Sequence, residues 1–116
     1  MINSSSSLTR TLLFLQIFDA YGEVSKIINK YDLYNDDLQT LYDLQDSLKN
    51  FWDIQSNMSM RNIMSLRTIN ENVELITSLY TKISKKPRLF ETLDNNINRI
   101  IDLTNEINII ENHIKK

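Results

Sequence analysis

The chain contains no cysteine, and only one histidine, one glycine, one proline and one alanine among its 116 residues. Each scarcity removes a class of protein. Without cysteine there is no disulfide framework and no thiolate metal site. One histidine cannot make a multi-histidine metal centre, and one glycine cannot make a phosphate-binding loop. Hairpin-rich and α/β folds need glycine and proline at their turns, and two such residues leave almost no turn chemistry. The charge is nearly balanced, 13 basic against 15 acidic residues, so there is no overall attraction to nucleic acid. No apolar run reaches the length of about 18 residues that a membrane span requires.

What is present is isoleucine, leucine and asparagine, at 16, 15 and 14 copies. Isoleucine is a middling helix former, so spacing decides the reading. Residues 1–7, Met-Ile-Asn followed by four serines, read as a flexible N-terminus, with Ser7 a candidate cap for the first helix. Phe14, Ile17, Tyr21, Val24, Ile28 and Tyr31 then recur at heptad steps, with Gly22 inside the run. Asn35, followed by Asp36 and Asp37, has the character of an N-cap with acids in the first turn. From Leu38, heptad steps meet 14 positions up to Ile83, ten of them apolar. The interruptions are Gln45 and a polar middle of Gln55, Ser59 and Asn62. Beside that middle a second stripe runs through Leu44, Leu48, Phe51, Ile54 and Met58. Unbroken, this segment would be a rod of roughly 70 Å; a bend at the polar middle is the other option. Ser84-Lys85-Lys86-Pro87 marks a break, and Leu93, Ile97, Ile100, Leu103, Ile107, Ile110 and Ile114 form the last stripe.

The expected fold is all-α. It has two to three long amphipathic helices, about 8–33, 36–84 and 88–115, in a coiled coil or elongated bundle within one domain, 8–116. A stripe on every helix is more apolar face than one thin hairpin hides, which points to partner helices. Trp52, Leu66, Ile69, Val73, Ile76, Ile97, Ile100 and Ile107 are the expected partner-interface residues. Gln55 and Asn62 are candidates for setting register, since a buried amide in a seam restricts the pairings it tolerates. Their alternative placement is on the exposed side of a rotated seam.

Catalytic candidates are few. His113 stands beside a Lys-Lys terminus and reads as a helix-end residue. Asp36/Asp37 and Asp43/Asp46 have no pattern that would separate their pKa values. The chain is expected to be non-enzymatic, with no metal and no cofactor. Lys82, Lys85, Lys86 and Arg88 cluster at the proline break and read as solvating charges, with phosphate contact the lesser option.

In size, helix layout and lack of catalytic residues, the chain resembles the small helical subunits of eukaryotic coiled-coil assemblies. These are the subunits of the BLOC-1 endosomal complex and of the DASH kinetochore ring. Lys30-Tyr31-Asp32-Leu33 spells the Lys-x-Asp-Leu string that names one BLOC-1-related family. The resemblance covers the architecture of most of the chain and carries over no functional residue. It implies a cytoplasmic scaffold or adaptor subunit, peripheral on an organelle, with the endosomal type favoured over the kinetochore type. Its partners would be other helical subunits, in a hetero-oligomer rather than a homo-oligomer, with no nucleic acid and no integral membrane segment. The alternative is a self-contained small helical bundle acting as a binding protein, for example a viral one.

Overall fold

The computed structural model describes residues 4–58, 63–83 and 88–114. Four α-helices account for most of them: α1 (Ser4–Lys30), α2 (Asn35–Ser56), α3 (Leu66–Thr81) and α4 (Glu91–Ile114). A single 3-10 turn, Arg88–Phe90, leads into α4. No strand occurs among the described residues.

The pairings define an antiparallel ring. Phe14 meets Phe51 edge-on, ring centroids 5.1 Å apart, and Gln45 donates to Ser25 Oγ at 2.6 Å, so α1 and α2 run in opposite directions. Arg10 meets Glu111 while Gln16 meets Asn96, which sets α4 antiparallel to α1. Asn70 meets Asn108 and Tyr80 meets Asp94, which sets α3 antiparallel to α4. The packed neighbours are α1 with α2, α2 with α3, α3 with α4, and α4 with α1. This is an up-down-up-down four-helix bundle, 48 × 25 × 18 Å.

The expected helix at 36–84 is two helices. α2 stops at Ser56, where the Asn57 N–H still bonds back to the Asp53 carbonyl and the Met58 N–H to that of Gln55. Ser65 opens α3, its hydroxyl accepting the Thr68 N–H at 3.1 Å. The heptad walk crosses this corner without slipping because Trp52 and Leu66 lie two heptads apart in sequence. Asparagine and serine favour caps and turns over helix interiors; Asn57 caps the end of α2 and Ser65 the start of α3, with neither glycine nor proline at these caps. Folding back also lets each half cover the other's apolar face, which a straight rod cannot do.

Two smaller expectations change. α1 begins at Ser4 rather than near residue 8, and Ser6 is buried. The cap of α2 is Tyr34, with no side-chain bond, and Asn35 is already helical. The break at Ser84-Lys85-Lys86-Pro87 lies outside the described residues.

The core runs the length of the bundle: Leu13, Ile17, Ala20, Val24 and Ile27 from α1, Leu41, Leu44, Leu48 and Phe51 from α2, Ile69, Val73 and Ile76 from α3, and Leu93, Ile97, Ile100, Leu103 and Ile107 from α4. Met64, Ile83 and Phe90 close it at the connections. On α1 the seam sits one position off the expected one at Ala20 and Ile27, leaving Tyr21 and Ile28 half-buried and Tyr31 exposed. On α2, Leu44 and Phe51 face inward in place of Gln45 and Trp52. Gly22 has an ordinary helical φ, and a Cβ there would meet nothing within 4 Å. In a helix interior it costs about 1 kcal/mol relative to alanine.

Candidate functional site

Two polar constellations lie inside the bundle, and one apolar surface lies outside it. At the end that gathers the start of α1 and the end of α4, the Arg10 guanidinium forks onto Glu111. Nε donates to Oε2 at 2.6 Å and Nη2 to Oε1 at 2.8 Å. Nη1 donates to the Met64 carbonyl at 2.6 Å, and Ser6 Oγ donates to Glu111 Oε2 at 2.5 Å. All of these groups are buried. The set ties α1, α4 and the corner before α3 into one joint. A fully bonded buried ion pair fixes geometry without itself guaranteeing net stability. It leaves no free acid, base or nucleophile poised at a cleft, so its chemistry is structural.

The second constellation joins α3 to α4. Asn70 and Asn108 exchange amide bonds, at 3.0 and 2.8 Å, and Asn108 also donates to the Thr104 carbonyl. Further along, Tyr80 Oη donates to Asp94 Oδ1 at 3.0 Å. Burial, and then the hydrogen bond and charge of Asp94, hold the Tyr80 phenol above its ordinary pKa. On the α1–α4 side Asn96 donates to Gln16 Oε1. No cluster of His, Asp or Glu with metal-binding spacing occurs among the described residues. Nor is any described helix long and apolar enough to cross a membrane.

The outer surface is uneven. Ile109 on α4 and Leu75 on α3 are exposed singly, as is normal for any protein surface. Along α1 and the adjoining flank of α2 the exposed apolar groups gather instead. Leu8, Leu15 and Phe18 are 62%, 52% and 54% exposed, and Trp52 is 38% exposed. The Phe18 and Trp52 rings lie 5.5 Å apart at 33°. They flank a cleft of about 320 Å³ floored by Ile17 and Leu48, with Tyr21 on its wall and Lys49 and Asp53 on its rim. Those two charges pair with each other at 3.1 Å. The cleft is the candidate functional site.

The expected interface residues divide. Ile69, Val73, Ile76, Ile97, Ile100 and Ile107 are buried in the chain's own core, because α3 and α4 cover each other and α1 and α2 close the ring. They are corrected from interface to core. Leu66 is half-buried against the same core, and Trp52 alone of the eight lies on the exposed apolar surface. Gln55, in the last turn of α2, is exposed and pairs no two helices of the chain; Asn62 lies outside the described residues. The inter-helix polar pairing falls to Asn70, Asn108, Arg10 and Glu111 instead. The sequence reading missed Leu8, Leu15 and Phe18 at the surface. Their signal was a second apolar stripe on α1, off the seam through Phe14 and Ile17. Lys82 and Arg88 are exposed; their partners in the basic cluster, Lys85 and Lys86, lie outside the described residues. His113 is exposed in the last turn of α4.

Comparison with known proteins adds no relative: no family model, curated protein or solved structure matches the chain.

Proposed function

We propose that the chain is a non-catalytic helical interaction module that folds by itself and binds a protein through the outer face of α1 and α2. The observation that carries this reading is a closed four-helix core beside a cleft walled by Phe18 and Trp52, which the core does not use. The self-contained bundle is preferred to the obligate coiled-coil subunit because the apolar seams of α1 to α4 are already spent on one another. A scaffold or adaptor role survives in this form, with partners meeting a surface rather than completing a core. Aromatic side chains around a desolvated pocket are the usual anchors of such contacts. The self-paired Lys49 and Asp53 leave the cleft without a charge preference, which favours an apolar protein surface over nucleic acid.

The test is a photo-crosslinking amino acid placed at Phe18, with the same probe at Ile109 on α4 as control. Crosslinking in cells to protein, another copy included, from Phe18 and not from Ile109 is expected. Equal or absent crosslinking from both positions overturns the reading.

A further inference from the structure

We infer that the outer face of α1 is the two-fold contact of a homodimer. In it α1 lies antiparallel on α1 of a second copy, with Leu15 at the axis and Leu8 of each copy seated at Gly22 of the other. The inference rests on reading this face as the docking surface and names its occupant.

Three features of α1 support it. First, the helix is apolar on both sides. Its exposed positions from residue 7 to residue 18 are Ser7, Leu8, Thr11, Leu15 and Phe18, with no charge among them. A helix apolar on both faces is normally covered on both. Beyond this stretch the exposed positions of α1 carry charge at Asp19, Lys26 and Lys30, so the uncharged outer face is the N-terminal half of the helix.

Second, Gly22, the chain's one glycine, has no role within the bundle. Its φ is ordinary for a helix and a side chain would have open space. It faces outward on the same stripe and floors a depression of about 700 Å³ bordered by Phe18, Asp19, Ser25 and Lys26. A glycine in such a place permits close approach by another chain.

Third, the stripe is complementary to itself. Leu8, Leu15 and Gly22 are one heptad apart. Antiparallel pairing about Leu15 brings each large Leu8 against a bare Gly22 and each Thr11 against Asp19. A two-fold contact needs this property, in which one patch fits its own copy. With Trp52 and Phe18 at the edges, such a helix pair has to remove about 1,200 Å² in total to reach the lower limit for specific interfaces. A lipid surface is the poorer occupant, since a helix lying on an anionic membrane carries Lys and Arg around its apolar face. Here Arg10 is buried on Glu111, Lys49 is paired with Asp53, and Lys26, the exposed lysine beside Gly22, is paired with Glu23.

The test uses the full chain. Sedimentation from 1 to 500 μM should show a monomer–dimer equilibrium with Kd on the order of 10 μM. Leu15→Glu should abolish it, and Gly22→Glu should weaken it at least tenfold without loss of helix content. Because the chain has no cysteine, single-cysteine variants report the geometry directly. Leu15→Cys should form a disulfide-linked dimer, and Leu8→Cys should link to Gly22→Cys in a mixture. Leu75→Cys, equally exposed on α3, should not. A monomer at every concentration overturns the inference, as does a dimer that survives Leu15→Glu or links equally through Leu75→Cys. A monomer whose Phe18 probe still captures another protein keeps the docking face and removes only the second copy as its occupant. A monomer whose probe captures nothing removes both readings.

Discussion

The two faces of α1 have nearly the same chemistry and opposite fates. Leu13, Ile17 and Val24 on one face are fully buried or nearly so, while Leu15 and Phe18 on the other are more than half exposed. Composition does not separate them; neighbours do. The inner face meets α2 and α4, and it carries Arg10, whose charge is fully bonded by Glu111 and the Met64 carbonyl. The outer face stays largely exposed, touching α2 through the Phe18–Trp52 ring contact, and carries Gly22. The inner face is where the bundle's stability resides, and the outer face is where the proposed contact surface lies.

Substitutions that separate the two faces should differ widely in size. The largest effect is expected at Glu111→Ala, which strands Arg10 as a buried, unpaired charge and should cost roughly 3–5 kcal/mol. The double variant Arg10→Met, Glu111→Leu should recover most of that loss, and urea denaturation of the single and double variants measures both. Next is Ile17→Ala on the inner face, at about 3 kcal/mol from lost burial and a residual cavity. Leu15→Glu on the outer face should change monomer stability by less than about 0.5 kcal/mol. If the two substitutions cost the same, the inner and outer assignment fails.

Away from α1, Tyr80 gives a pH-dependent control. Its phenol is held above its ordinary value by burial and by Asp94, so the folded state favours the protonated form. The stability this contributes is complete below about pH 10 and is lost as pH rises beyond it. Tyr80→Phe should remove that alkaline sensitivity, seen by following the melting temperature from pH 8 upward. A stabilising substitution sharpens the comparison most. Gly22→Ala should stabilise the monomer by about 0.5–1 kcal/mol, because nothing in the bundle needs a glycine there.

Half of this fold is legible in the heptad spacing. On α3 and α4 the apolar residues stand against polar neighbours, and Ile69, Val73, Ile76, Leu93, Ile97, Ile100, Leu103 and Ile107 fall where the spacing puts them. On α1 and α2 the flanks are apolar too, so the seam direction is ambiguous by one position. Ala20 and Phe51 turn in where Tyr21 and Trp52 fit the same steps. The corner after Ser56 is hidden because its length preserves the heptad register, leaving the Gln55, Ser59 and Asn62 run as its one trace. The Arg10–Glu111 joint links residues 101 apart in sequence, a separation no local pattern can report. The contact surface was missed because exposed and buried leucines look alike until the neighbours are in place.

The most direct test of a closed core is urea denaturation of the Leu15→Glu chain by itself, followed by circular dichroism at two protein concentrations tenfold apart. A single cooperative transition with a midpoint independent of concentration is expected of a bundle that needs no other chain. A broad or concentration-dependent loss of helix would contradict it and return the seams of α3 and α4 to partner subunits.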